Sequence, residues 1–173
     1  MTDFRPSDRV SFHEAGHLVI GLLRGLTPLV VFASEDGGGV FWKGPIAACR
    51  DVTMILAGPL AEGFFENWQY RPTDEDLKPW LLAVRSGEKK TADFGKAFTA
   101  LIDRCGASDR VVMSAFRSAE VEAIDLLDRR DVRAAVRAVA TELTRAGRLL
   151  GADAAELASR HIEPGSLKME NTP

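Results

Sequence analysis

No apolar run of 18 residues occurs in this 173-residue sequence, and Asp8, Arg9, His13 and Glu14 interrupt its N-terminal stretch. A membrane span and a secretory leader are therefore not expected, and the chain reads as soluble and not exported. Cysteine is scarce: Cys49 and Cys105 lie far apart with no C-x-x-C. That spacing indicates neither a disulfide framework nor a cysteine zinc site, and two thiols suit a reducing, cytoplasmic setting. Charge of one sign is missing as well. A net charge of −3 gives no global electrostatic case for nucleic acid or anionic lipid. The local run Arg129, Arg130, Arg133 and Arg137 has Asp125, Asp128 and Asp131 beside it and reads as a solvated helix face. Nor is there a G-x-x-x-x-G-K-[ST] loop to cradle the phosphates of ATP.

What is present is a globular balance, 46% hydrophobic residues against 27% charged, enough for a real core. Histidine occurs only three times, yet two of the three fall in one pentapeptide, His13-Glu14-Ala15-Gly16-His17. Val10, Ala15, Leu18, Leu22 and Leu23 recur at three- and four-residue intervals around it, so the pentapeptide belongs on a helix that ends near Gly25. Residues four apart on a helix are neighbours, and two neutral imidazoles so placed can share one metal ion. Glu14 lies about 100° round the helix from His13, beside the metal rather than on it, where a carboxylate can take a proton from metal-bound water. This is the H-E-x-x-H pattern of zinc peptidases.

Downstream, Pro28–Ser34 is short and β-branched, and the turn signal Glu35 to Gly39 leads to Val40-Phe41-Trp42. A β-hairpin is expected there, with Leu29–Ala33 as an edge on which an extended peptide could pair. From Ile46 to Trp68 runs a mostly apolar stretch read as a buried central helix, which Gly58-Pro59 should kink or split. Arg71–Asp74 reads as a loop before a short segment near Leu77–Val84. Thr91 is a candidate N-cap for a helix carrying Phe94, Phe98 and Leu101, Ser108 for another, and Asp131 for a third that stops at Gly147. A short amphipathic piece covers Asp153–Ser159. The expected architecture is mainly α, one domain over residues 1–162, with a disordered tail over 163–173.

A catalytic zinc takes three protein ligands and leaves a fourth position for water, so one more residue is required. The third histidine of the metzincin pattern is absent, because Leu23 stands in its place. Glu62, Glu66, Asp93 and His161 are the candidates. His161 lies next to the tail, and Glu62 and Glu66 sit in an apolar helix where an unpaired carboxylate is costly. Asp93 stands near a helix N-terminus, where the macrodipole favours the ionised form a metal needs. Distance along the chain does not choose among the four.

The order F-H-E-A-G-H-L-V-I-G, G-G-G-V-F-W, I-L-A-G-P-L-A-E and T-A-D-F-G-K-A-F resembles the peptidase domain of the FtsH family of zinc proteases over roughly residues 8–150. The resemblance implies a helical zinc-peptidase domain with a small β-hairpin after the H-E-x-x-H helix. It implies zinc on His13, His17 and Asp93, with Glu14 as catalytic base and Glu62 supporting the site without being a ligand. Ala92 stands where the family commonly has asparagine, Phe98 where it has threonine, and Pro59-Leu60 interrupt its G-G-R-A-A-E helix. The family's membrane anchor and ATPase ring lie upstream of such a domain, whereas this sequence begins almost at the metal helix.

The expected activity is therefore zinc-dependent endopeptidase action on peptides or unfolded protein segments, without an ATPase of its own or in partnership with a separate one. Two other readings follow from the same residues. One is a non-catalytic relative that binds a partner protein, and the other is a repressor-cleaving regulatory metallopeptidase of the ImmA/IrrE kind.

Overall fold

The computed structural model describes residues 6–44, 51–65, 71–88, 91–106 and 108–167. Among them the chain forms α1 (Pro6–Leu23), β1 (Thr27–Ser34), β2 (Gly37–Lys43), α2 (Val52–Phe65), α3 (Asp74–Arg85), α4 (Asp93–Cys105), α5 (Asp109–Asp128), α6 (Arg130–Ala146), β3 (Arg148–Leu150) and α7 (Gly151–Ser159). The protein is thus mainly helical with one small sheet. No helix of the described residues is long and apolar enough to cross a membrane.

The helix containing the histidine pair ends where expected, and the two segments after it form the expected hairpin, with Val31 opposite Val40 and Ser34 opposite Gly37. A third strand was not anticipated. Gly147 adopts the left-handed conformation (φ 70°) and ends α6 with its N–H on the Leu143 carbonyl, and the next three residues then pair with β1, Leu149 opposite Val31. Three residues are too few to show alternation, so β3 is defined by its partner rather than by its own pattern. The strand order β2-β1-β3 also corrects the expected edge: β1, with Leu29–Ala33, is interior, and β2 is an edge strand among the described residues.

Several boundaries moved for identifiable reasons. The described part of the apolar stretch, α2, continues through Pro59 instead of splitting. Burial of Met54, Leu56, Ala57 and Ala61 against neighbouring elements offsets the lost backbone bond. Residues 46–50 and 66–68 of that stretch lie outside the described residues. Helix α3 starts earlier than read, because Thr73 and Asp76 form a reciprocal capping box. The residue at the N-cap of α4 is Ala92 and not Thr91, and no side chain caps that helix.

Two apolar clusters make up the interior, and α2 contributes to both. Leu18, Leu22 and Leu23 of α1 pack with Val31, Val139, Leu143, Leu149 and Ala154, joined by Met54, Ala57 and Ala61. On the other side of α2, Val52, Ile55 and Leu56 pack with Leu77, Phe98, Val112 and Phe116, and the rings of Phe98 and Phe116 stack at 4.9 Å between centroids. The segment expected to be disordered is in part tied down. Ile162 is buried, and the N–H groups of Gly165 and Leu167 donate to the carbonyls of Leu22 (2.8 Å) and Leu23 (2.9 Å). The Leu22 carbonyl also accepts from the Gly25 N–H, so the segment adds a second donor there and a partner for Leu23 at the C-terminal end of α1. Residues 168–173 lie outside the described residues.

Candidate metal centre

Helix α1 carries His13 and His17 on the side facing α2 and the start of α4. Their Nε2 atoms are 3.0 Å apart, and Asp93 Oδ2 lies 2.8 Å from the first and 3.4 Å from the second. Three donors on a tetrahedral zinc, each about 2.0–2.1 Å from the ion, stand roughly 3.3 Å from one another. The triangle has that size, and two imidazoles with one carboxylate are a donor set suited to zinc. Among the described residues no other group of three or more histidines, cysteines or acids converges in this way.

The far side of each imidazole is fixed. His17 Nδ1 is 2.9 Å from the Met54 carbonyl oxygen, which can only accept, so Nδ1 carries the proton and Nε2 offers a lone pair. His13 Nδ1 is 2.5 Å from Glu62 Oε1, and the other Glu62 oxygen is held by Arg9. Glu62 is therefore an orienting partner of His13 and not a member of the triangle. Burial raises the Glu62 carboxyl, but the bonds to His13 and Arg9 outweigh it and leave the group below its ordinary range.

Charge follows the same geometry. Burial pushes His13 down, yet its bonds to Asp93 and Glu62 prevail and raise it to about 9. Asp93 is likewise opposed by burial, and the two imidazoles hold it far below the usual carboxylate range. Without metal, a proton on His13 Nε2 is thus shared toward Asp93, in the space where an ion would be bound. Glu14 behaves in the opposite way: its side chain is buried and its pKa is raised, with only partial relief from His17 and His13.

Missing side chains create the room. A Cβ on Gly58 would lie 2.3 Å from His17 Nε2 and 2.8 Å from His13 Nε2, so only glycine leaves space for both rings over α2. Gly16 lets α1 and α2 approach so closely that a Cβ there would meet the Ala57 carbonyl oxygen at 2.5 Å. Gly38 of β2 does the same for Glu14, whose Cγ would be 2.7 Å from an added Cβ. The result is an open cavity of about 470 Å³ holding His13, Glu14, His17 and Asp93, with β2 residues Gly38 to Trp42 along one wall.

The four candidates for the third position separate clearly. Asp93 joins the histidines, Glu62 stands behind His13, and His161 is exposed just past α7 and absent from the cluster. Glu66 lies outside the described residues. Gly58 stood out in the sequence only as a break in the helix, and the Met54 carbonyl and Lys96, which bonds Asp93, did not stand out at all. A glycine in an apolar helix and a lysine in a first turn carry no local signal of a site. No protein-family model matches the chain, and no curated protein matches it.

Proposed function

We propose that this protein is a zinc-dependent endopeptidase with an FtsH-like peptidase domain, acting on peptides or unfolded protein segments. The observation that carries the reading is the convergence of His13, His17 and Asp93 on one point, with Glu14 beside them in an open cavity walled by a free strand edge. The two imidazoles and Asp93 Oδ2 would hold the ion. When bound, zinc supplies Lewis acidity and a water of lowered pKa at that point.

The remaining work belongs to the chain. Glu14 is the general base: burial raises its carboxyl above the ordinary range, which makes it a better proton acceptor than an exposed glutamate. It takes the proton of the attacking water and returns it to the leaving amine. An extended substrate segment pairs with the unpaired edge of β2, so that main-chain hydrogen bonds orient the scissile amide toward His13, Glu14 and His17. Such pairing would favour unfolded chains, since a folded protein rarely presents an unpaired strand.

Replacing Glu14 by Gln tests the assignment. The variant should retain its zinc, because Glu14 is not in the donor triangle, while cleavage of casein or a peptide library should fall by at least about 10²-fold. An active E14Q enzyme would remove Glu14 from its role. Wild-type protein that holds zinc and cleaves nothing would favour the partner-binding reading.

A further inference from the structure

The Asp93 carboxylate has two oxygens with different duties. Oδ2 faces both imidazoles, whereas Oδ1 accepts a hydrogen bond from Lys96 Nζ at 2.9 Å. Lys96 stands in the first turn of α4, where the helix dipole disfavours a cation. As an ordinary i,i+3 surface pair it would do little more than offset that cost. Its acceptor is not an ordinary surface acid, however. The Asp93 side chain is only 12% exposed, while Lys96 is 55% exposed and reaches inward along the wall of the cavity.

We propose that Lys96 is a positioning residue for the metal centre, holding Asp93 Oδ1 so that Oδ2 alone is presented to the ion. This rests on the metal reading of the site. A carboxylate on a short side chain can rotate about its terminal bond and present either oxygen or both, and α4 supplies no cap that would prevent it. The Lys96 bond removes that freedom. A carboxylate held in this way would offer the ion one oxygen, Oδ2.

The sign of the effect separates this role from a simple charge effect. Coulomb's law alone says that removing a nearby cation should tighten the binding of another. Positioning says that it should weaken binding, in the range of about 10–100-fold typical of groups that orient metal ligands. The test is the zinc affinity of wild type, Lys96→Met and Lys96→Arg, measured by competition with a chelating dye, with urea unfolding of each metal-free protein as a control. Met keeps the length of the stem without a donor, and Arg restores a cationic donor. The expected result is weaker zinc binding in K96M by about 10–100-fold, recovery in K96R to within about threefold, and unchanged unfolding curves. Equal or tighter binding in K96M overturns the proposal, as does a K96R variant as weak as K96M. A wild-type protein that takes up no zinc overturns the metal reading itself, a failure visible before any substitution is compared.

Discussion

Adding one methyl group at Gly58 should separate metal affinity from stability. The new Cβ would lie 2.3 Å from His17 Nε2 and 2.8 Å from His13 Nε2. Carbon and nitrogen rest at roughly 3.5 Å, so the His17 nitrogen must retreat by about 1 Å. Metal sites tolerate errors of about 0.2 Å in ligand position. A displacement of that size in a preorganised site costs on the order of 10²-fold, or about 2.7 kcal/mol of zinc binding. Stability should respond less, because alanine favours a helix over glycine by about 0.5–1 kcal/mol, which offsets part of the cost of disturbing the His17 bond to the Met54 carbonyl. Chelator competition would measure the zinc affinity of Gly58→Ala, and urea denaturation of the metal-free protein its stability. A variant that binds zinc within about threefold of wild type, a difference under about 1 kcal/mol, would refute the claim that Gly58 makes room for the rings. So would a loss of zinc that merely accompanies unfolding.

Three further outcomes follow from the structure. In metal-free protein, His13 is raised from 6.5 to about 9, so its ion pair with Asp93 stabilises the fold fully below pH 6.5 and is lost as the pH rises through 9. The contribution is at most about 3 kcal/mol, and the stability gap between wild type and His13→Gln should shrink from pH 6 to pH 9.5 in urea melts; a gap that widens would contradict it. Zinc affinity should run the other way over this range, gaining up to about tenfold per pH unit as the His13 proton is displaced, measurable by competition at fixed ionic strength. Gly16→Ala should lower stability by about 1–3 kcal/mol, since its Cβ would meet the Ala57 carbonyl oxygen, which cannot step aside as a ring can. An unchanged melting curve would show that α1 and α2 are not held at this contact.

What the sequence determined by itself was local. The i, i+4 spacing of His13 and His17 puts them on one face of any helix, and the surrounding apolar period makes that helix form, because both depend on backbone bonds spanning four residues. The hairpin was legible for the same reason, through β-branched runs around a glycine-rich turn, and so was the stop of α6 at Gly147. Tertiary structure decided what local spacing cannot. It placed Asp93, and neither Glu62 nor His161, against the two histidines by bringing the start of α4 to α1, and it turned Glu62 into the partner of His13. It made β1 an interior strand by adding β3, leaving β2 as the edge, and it drew Gly165 and Leu167 onto the end of α1. Gly16, Gly38 and Gly58 show the difference most plainly. Their importance lies in atoms they lack, and the groups that need that space come from other elements, which are brought close only when the two apolar clusters pack on either side of α2.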